Sequence, residues 1–415
     1  MAARPLPRIR GREVTGTPCS CKRSDRRAAA VRMANTTDVL VVGGGIAGCA
    51  TAWMLAREGV EVTILERRAI GAGASGANAG SLHAQIAHEP FLTKGEAWAR
   101  AYAPTLPLLG ASLALWQRWP EELATDLDLA TPGGLLVAET ESQLADIARK
   151  AAIERAAGVA VELLDAAGIR RVAPYVSPRV IGGLFCPAEG KANPLATTPA
   201  LARAATAAGA RLLAPVALRA LTREARGFRA ETDAGVISAA RVVNAAGAEA
   251  ARVSALLGLD LPIEAHPIQV NVTEPAAPLI RHLVYHAVER LSLKQARNGG
   301  VLIGGGWPSC LRADGRLAAD PRSMAENIAV AIAAVPAIAD LRLLRTWPAI
   351  VNGTDDWRPI LGEAPGIPGF FHAIFPWMGF SGAPITARIT ADLLLGRDPG
   401  FDLAPFRADR FAAFA

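Results

Sequence analysis

The first clear pattern of apolar positions is a short strand–helix–strand arrangement that begins at Asp38. Asp38 opens a continuous apolar run to Val42, which is typical of a parallel strand buried on both faces. Apolar residues then recur at helical spacing over Ile46–Glu58, and Gly59 is a natural end for that helix. A second β-branched run follows at Glu61–Leu65. The sequence therefore predicts one compact βαβ unit.

Downstream, helical and strand-like patterns alternate without an internal repeat. Helical spacing predicts helices at Ser112–Leu123, Glu141–Ala157, Thr197–Ala208, Ser323–Ala334 and about Pro384–Leu395. Apolar runs and turn residues predict strands at Leu135–Ala138, Arg211–Ala217, Phe228–Thr232, Val236–Ser238 and Arg241–Asn244. Four further runs predict a single antiparallel sheet, made of Ile268–Thr273, Leu283–Val288, Leu291–Gln295 and Val301–Gly305.

Composition and charge narrow the class of protein. Apolar residues make up 51% of the 415 residues and charged residues 20%, which is typical of a globular protein. Residues 1–32 carry nine cations and two anions, so the net charge of +6 falls to −1 for residues 33–415. A near-neutral body argues against nucleic-acid binding. We expect residues 1–33 to be a basic disordered tail, or translation to begin at Met33.

Cysteine content argues against a disulfide framework or a metal site, and hydropathy argues against a membrane-spanning or secreted protein. The five cysteines are too few for a disulfide framework, and the paired Cys19 and Cys21 cannot complete a four-ligand metal site. We therefore predict no metal. Apolar runs are too short to span a bilayer, and no apolar segment follows the tail arginines as in a secretory signal. A cytoplasmic location is the resulting expectation.

The strongest chemical motif is the glycine-rich turn between the first strand and helix. Gly43, Gly45 and Gly48 fit the G-x-G-x-x-G pattern, and Glu66 lies 23 residues after Gly43. In a dinucleotide site the glycines allow a tight turn and a close approach to the diphosphate, and the acid accepts hydrogen bonds from a ribose. The helix start, with Ile46 and Ala47, offers free N–H groups to the phosphates.

Later glycine-rich segments point to FAD rather than NAD. Small residues follow Glu66 and Arg67, a second strand ends in another turn, and a third glycine turn precedes the last helix. Such a final turn can present N–H groups to the pyrimidine edge of a flavin, where reduction places negative charge. The remaining predicted cofactor-binding residues are Ser75, Asn78, Ala79, Gly80, Val216, Asn244, Ala245, Gly247, Gly379, Phe380, Ser381 and Gly382.

At these segments the chain resembles the D-amino-acid oxidase superfamily of flavoproteins, over about residues 36–400. Residues 74–85 and 189–200 are most similar to the FAD subunits of opine oxidase, D-hydroxyproline dehydrogenase and hydrogen cyanide synthase. The resemblance implies non-covalent FAD, hydride transfer from a C–N bond to flavin N5, and a partner subunit that takes electrons. Related sarcosine oxidases attach FMN through a His, and residues 186–195 contain none. Covalent FMN is therefore not expected, whereas a non-covalent FMN at a subunit interface stays open.

The predicted fold class is α/β, with a Rossmann-like FAD-binding domain interleaved with a second α+β substrate domain built on an antiparallel sheet. The FAD-binding domain is predicted to comprise residues 34–90, 160–255 and 345–415. The substrate domain, or cap, is predicted to comprise residues 91–159 and 256–344.

The substrate side has weaker signals. Flavin-dependent amine oxidation needs orientation and a cation for the substrate carboxylate more than a strong base. We select His83, Tyr285, Arg345 and Arg358 as catalytic candidates. Arg290 and Lys294 are further candidate cations, and Trp347 and Trp377 are candidate walls. Because Tyr285 and His286 alternate on one strand, we expect only one of them to face a pocket.

Three functions remain open from the sequence. The first is an FAD-dependent dehydrogenase of a secondary or D-configured amino acid within a hetero-oligomer. The second is a self-sufficient amino-acid oxidase that uses oxygen. The third is a non-catalytic flavoprotein subunit that relays electrons.

Overall fold

The structure, a computed structural model, describes residues 36–411. The predicted tail at residues 1–33 lies outside the described residues. Between Thr36 and Phe411 the strands are β1 (Thr36–Val42), β2 (Val62–Leu65), β3 (Ser81–Leu82), β4 (Gly134–Ala138), β5 (Glu162–Asp165), β6 (Gly182–Cys186), β7 (Gly190–Lys191), β8 (Arg211–Leu213), β9 (Leu218–Glu224), β10 (Gly227–Thr232), β11 (Gly235–Asn244), β12 (Glu264–Pro275), β13 (Leu283–His286), β14 (Ser292–Gln295), β15 (Gly300–Gly304), β16 (Cys310–Leu311), β17 (Leu317–Ala318), β18 (Leu343–Gly353), β19 (Ile360–Glu363) and β20 (Phe370–Ile374).

Ten α-helices lie within the same range. They are α1 (Ile46–Arg57), α2 (Ala74–Ala77), α3 (His88–Tyr102), α4 (Thr105–Glu122), α5 (Glu141–Ala156), α6 (Ala166–Val172), α7 (Pro194–Ala207), α8 (Ala250–Ala255), α9 (Pro321–Ala334) and α10 (Gly379–Leu394). Most predicted helices lie within a few residues of these bounds. The sequence did not predict α3, because Pro90 and Gly95 interrupt its pattern, and Gly95 kinks it at φ 81°.

The predicted βαβ unit forms the centre of an eight-stranded sheet, which has the order β19-β20-β11-β1-β2-β8 with β10 and β9 attached to β11. β1 pairs in parallel with β2 on one side and with β11 on the other. The predicted strands at 236–238 and 241–244 are a single strand, β11, whose first half forms the hairpin with β10. Helices α1, α7 and α10 pack around one apolar core on this sheet.

The second sheet also has eight strands, in the order β18-β12-β15-β14-β13-β4-β6-β5. Its pairs are antiparallel except for β13 with β4, so the predicted antiparallel sheet forms with one parallel pair. Strands β5, β6 and β18 pair here although their residues fall mostly in the predicted FAD-binding segments. Strand pairing over such separations cannot be read from local periodicity, and the domain boundaries stay a prediction.

The start of α10 differs from the prediction. The helix begins at Gly379 rather than at about Pro384, so the predicted glycine turn is its first turn. A side chain at Gly382 would lie 2.2 Å from the Phe375 ring, which explains a small residue inside the helix. The turn predicted to contact the flavin is therefore the N-terminus of a largely buried helix.

Candidate active site

The glycine turn between β1 and α1 is held too tightly for larger residues. A Cβ atom at Gly43, where φ is +119°, would lie 2.4 Å from the Ala245 carbonyl oxygen. At Gly48 it would lie 2.0 Å from the Gly43 carbonyl oxygen, because α1 passes directly over the turn. At Gly45 it would meet only the Ser75 hydroxyl, at 2.9 Å. Gly43 and Gly48 are thus required by close backbone packing, whereas the absence of a side chain at Gly45 leaves space open at the start of α1.

That space is a cavity of about 830 Å³, called here the first cavity. Thirteen of the predicted cofactor-binding residues line it: Gly43, Gly45, Ile46, Ala47, Glu66, Arg67, Ser75, Asn78, Val216, Ala245, Gly247, Gly379 and Phe380. The predicted residues Ala79 and Ser381 line a second, adjoining cavity instead. Gly48, Gly80, Asn244 and Gly382 are not lining residues of either cavity.

Glu66 is oriented by the turn that it faces. One carboxylate oxygen accepts a hydrogen bond from the Gly44 N–H at 2.8 Å, and the other accepts from the Arg68 N–H at 2.7 Å. An ionised carboxylate has about four lone-pair positions, so acceptor capacity remains for ligand hydroxyl groups. Arg67 beside it is paired with Glu249 at 3.1 Å, at the edge of the first cavity.

Asn244 is a structural residue rather than a direct ligand of the cavity. Its side chain is fully buried, donates to the Ala250 carbonyl at 2.8 Å and accepts from the Ala246 N–H at 3.3 Å. These bonds fix the turn after β11, whose residues do line the cavity. The sequence did not separate the two roles, because a strand-end Asn followed by a glycine turn is compatible with both.

The first cavity therefore fits a dinucleotide. At this turn the Gly44 and Ile46 N–H groups donate to Glu66 and to the Ser75 hydroxyl, whereas those of Gly45 and Ala47 have no recorded partner among the described residues and can bind a diphosphate. Glu66 lies beside them for a ribose. Gly379 and Phe380 at the start of α10 also line the cavity, and a helix N-terminus favours negative charge.

The second cavity measures about 980 Å³ and shares Asn78, Trp377 and Phe380 with the first. Of the predicted catalytic residues, His83, Tyr285 and Arg358 line it. Tyr285 and His286 both line it, so the expectation that only one could do so is wrong.

His83 lines the second cavity next to the start of α10. Its backbone N–H donates to the Ser381 hydroxyl at 2.9 Å, which ties it to the first turn of α10. Its Nδ1 lies 2.9 Å from the Tyr285 hydroxyl. Burial, with a smaller contribution from the positive charge of Lys294, lowers the pKa of His83 to about 3. The imidazole is therefore neutral at physiological pH.

The candidate cations fall into two groups. Arg290 and Arg358 line the second cavity, where Arg290 pairs with Glu89 at 2.9 Å. The Arg358 Nε donates to Asp356 at 3.1 Å, and within residues 36–411 its terminal nitrogens have no recorded partner. Arg345 lies exposed over the Trp347 ring and is not a lining residue, so the structure does not bring it to His83.

Lys294 is likewise not a lining residue. It is buried and donates to the Ser81 hydroxyl at 2.6 Å. Burial, then the charge of Lys191, lowers the pKa of Lys294 to about 7. Its place behind Ser81 and His83 makes it an electrostatic neighbour of the cavity rather than a direct contact for a carboxylate.

An aromatic wall, here His266, Trp357 and Trp377, bounds the second cavity. The rings of Trp357 and Trp377 stack with centroids 4.9 Å apart, and His266 lies 4.4 Å from Trp377. Both tryptophans have positive φ angles, 60° and 58°. Non-glycine residues in that region carry strain and concentrate at functional sites. Trp347, in contrast, donates to the Ala77 carbonyl at 2.8 Å and is not a lining residue.

Sequence reasoning missed a buried polar network behind His83. Glu189, Lys150 and Glu154 are fully buried, and Gln85 lies between them with 5% exposure. The Lys150 ammonium donates to Glu154 at 2.5 Å and to the Gln85 side-chain oxygen at 3.3 Å. Charged residues are usually exposed, and no local pattern marks these as exceptions.

Residues 36–411 show neither a metal-binding cluster nor a membrane-spanning helix. Between Thr36 and Phe411, no group of three or more His, Cys, Asp or Glu side chains converges on a potential metal position. In the same part of the chain, no helix has the length and hydropathy needed to cross a bilayer.

Comparison with known proteins agrees with this arrangement. The model of the FAD dependent oxidoreductase family matches residues 38–393. The beta subunit of sarcosine oxidase from Rhizobium meliloti is 30% identical, with the match covering 90% of this chain and 88% of that protein. An opine oxidase subunit of Rhizobium meliloti is 27% identical, covering 91% of this chain and 98% of that protein.

A solved structure matches over the same length. The crystal structure of glycine oxidase from Geobacillus kaustophilus aligns with a TM-score of 0.79 at 28% identity, covering 91% of this chain and 99% of that one. The family match spans most of the chain and both sheets. The protein belongs to the FAD dependent oxidoreductase family.

Proposed function

We propose that this member of the FAD dependent oxidoreductase family oxidises the C–N bond of a secondary or D-configured amino acid, such as an opine, a hydroxyproline or a glycine-like substrate. The observation that carries the proposal is the second cavity, which adjoins the FAD cavity along Asn78, Trp377 and Phe380. It combines a neutral histidine with arginine side chains, which suits an amine and a carboxylate on one small molecule.

When bound, FAD supplies the two-electron oxidation. The chain contributes orientation, because a substrate held in place needs no strong base. Arg358 is our candidate for the substrate carboxylate, since a guanidinium binds a carboxylate with two parallel hydrogen bonds. His83 is the candidate contact for the amine, and Tyr285 supports His83.

The walls of the second cavity favour an N-substituted amino acid over glycine. The aromatic wall offers an apolar surface to an additional substituent.

Anaerobic mixing with glycine, sarcosine and an N-(carboxyalkyl) amino acid tests the substrate class. We expect the flavin to be reduced fastest at low concentrations of the N-(carboxyalkyl) compound. Faster reduction by glycine at every concentration would reject the preference for a large substituent and leave amino-acid oxidation in place.

The electron acceptor is proposed from the relatives. The matched sarcosine oxidase and opine oxidase chains are by name subunits of oxidases, so we propose a hetero-oligomer here too, with a non-covalent interface FMN as an option. Glycine oxidase, with a similar fold, supports the alternative of a self-sufficient oxidase that uses oxygen. A relay subunit without its own substrate is disfavoured by the lined second cavity.

Co-expression with neighbouring reading frames, followed by size-exclusion chromatography, tests the partnership. We expect a larger complex whose turnover with an artificial acceptor exceeds its turnover with oxygen. A lone chain that turns over fully with oxygen would reject the hetero-oligomer and support the oxidase. The cytoplasm stays the predicted location.

A further inference from the structure

A small β-hairpin, made of β16 and β17, lies outside both eight-stranded sheets. Its base is fastened to β12 on both sides. Before β16, the Ser309 N–H donates to the Pro267 carbonyl at 3.0 Å. After β17, the Asp320 N–H donates to the Gln269 side-chain oxygen at 2.8 Å. The second sheet therefore fixes the place from which the hairpin projects.

The tip of the hairpin is a closed turn. The Arg312 N–H donates to the Arg316 carbonyl at 2.9 Å, and the Asp314 carboxylate accepts from the Arg316 N–H at 3.0 Å. Gly315 has a φ of +76°, which residues with a side chain rarely adopt. The turn thus has a defined conformation, and it fixes the point from which the Arg316 side chain extends.

This tip borders the first cavity. Gly315, Arg316 and Leu317 line it, although they are remote in sequence from the glycine turn after β1. Strand β17 packs against β18, whose residues 348–352 also line the cavity. The turn at Gly247–Glu249, which follows β11, packs against β18 as well. The second sheet therefore brings the hairpin tip to the same cavity as the two glycine turns of the first sheet.

The Arg316 guanidinium is available to a ligand in this cavity. Its Nε lies 3.9 Å from Asp314, which is too far for a hydrogen bond, and its side chain is 83% exposed. Between Thr36 and Phe411, no hydrogen bond of this side chain is recorded. Of the other lining arginines, Arg67 and Arg252 share Glu249, at 3.1 and 2.9 Å. Arg316 is thus a cavity cation that can bind an anionic group.

We propose that Arg316 binds the diphosphate of FAD, and that the β16–β17 hairpin thereby retains the cofactor in the first cavity. The diphosphate is the part of oxidised FAD that is ionised at neutral pH, and a guanidinium binds phosphate oxygens with paired hydrogen bonds. The amides at the start of α1 and the Arg316 side chain then bind the same anion. The inference depends on FAD binding and not on the class of substrate.

Release of FAD from the purified holoenzyme tests this contact. Serial dilution, followed through the fluorescence of released flavin, gives the dissociation constant of FAD without any substrate. We expect Arg316→Gln to raise that constant about 10-fold, because a charge-assisted hydrogen bond to the diphosphate is lost. Arg312→Gln is the matched control, since Arg312 is exposed on the same hairpin and is not a lining residue. It should leave the dissociation constant unchanged.

Both arginines are exposed, so neither change removes core packing. Urea denaturation should therefore give matching free energies of unfolding for the two variants. An unchanged dissociation constant in Arg316→Gln, or an equal increase in Arg312→Gln, would overturn the proposal.

Two further measurements separate the charge of Arg316 from its shape. Arg316→Lys keeps the charge, so it should bind FAD more tightly than Arg316→Gln. Added potassium chloride should weaken FAD binding more steeply in the wild type than in Arg316→Gln, because salt screens an exposed charge pair. An Arg316→Lys protein no better than Arg316→Gln, or an identical salt dependence, would reject the diphosphate as the group bound. A protein that retains FAD as expected and oxidises no amino acid would refute the proposed function alone.

Discussion

Two glycines of the first turn, Gly45 and Gly48, should cause different defects when each is replaced by alanine. At Gly48 the new Cβ atom would lie 2.0 Å from the Gly43 carbonyl oxygen, so α1 and the turn must separate. Overpacking of this kind costs ~1–3 kcal/mol or more in the free energy of unfolding. At Gly45 the new methyl meets only the Ser75 side chain, and moving that side chain costs its one hydrogen bond from the Ile46 N–H and no backbone shift, so the unfolding free energy should change by less.

The Gly45 methyl should instead weaken FAD binding, because it projects into the first cavity at the start of α1. If a close diphosphate contact is overpacked by ~1–3 kcal/mol, the dissociation constant rises roughly 5–150-fold. Gly110→Ala is the control, since Gly110 lies exposed within α4 and a Cβ atom there would have no atom of another element within 4 Å. It should stabilise the helix by up to ~1 kcal/mol without affecting FAD.

Two assays separate these effects. Urea denaturation of the apoprotein measures the unfolding free energy, and fluorescence quenching of added FAD measures affinity. We expect Gly48→Ala to lose stability and Gly45→Ala to lose affinity with stability nearly intact. A Gly45→Ala protein that binds FAD as tightly as the wild type would refute the placement of the diphosphate at this turn.

Three further predictions concern the cavity arginine, pH and thiols. Arg358→Lys keeps the charge but loses the paired donors, so KM for the amino acid should rise about 10-fold or more, whereas Arg345→Lys, outside the cavity, should not change it. Equal effects of the two changes would reject Arg358 as the carboxylate ligand. Burial lowers the pKa of His372 to about 4, so between pH 7 and 5 the unfolded state takes up a proton that the folded state excludes, and stability should fall by ~1–2 kcal/mol at this residue. Urea denaturation at both pH values should show a smaller loss in His372→Phe, and an identical loss would contradict the assignment. Burial raises the pKa of Cys49 to about 12 and also raises that of Cys186, whereas Cys310 is exposed. A variant with Cys19 and Cys21 changed to Ser should therefore show one fast-reacting thiol under native conditions, and loss of that thiol in Cys310→Ser checks its identity.

The FAD half of the site was predictable because its signals are local. The turn at Gly43–Gly48 and the acid Glu66 follow from the spacing of a single βαβ unit, and both meet at the first cavity. Backbone requirements of this kind restrict residue type at fixed positions. For the same reason the βαβ unit itself was predicted to within two residues at each end.

The substrate half was less predictable because it depends on contacts across the chain. Glu189 accepts a hydrogen bond from the Ala84 N–H, 105 residues earlier in the chain. No sequence pattern near either residue predicts this contact. The sequence does not distinguish Arg345 from Arg358. In the structure Arg345 is exposed on an edge strand, whereas Arg358 lines the second cavity. The positions of β13, which carries Tyr285, and of α10, which carries Ser381, decide which side chains meet His83.

Anaerobic reduction of the bound flavin tests the central claim most directly. The purified protein should show a flavin spectrum, and its absorbance should bleach on mixing with a secondary or D-configured amino acid under anaerobic conditions. The same bleaching should not follow addition of the corresponding 2-hydroxy acid, which has a C–O bond where the proposed substrate has the C–N bond that is oxidised. A flavin that stays oxidised with every amine and is bleached by a hydroxy acid would contradict the account.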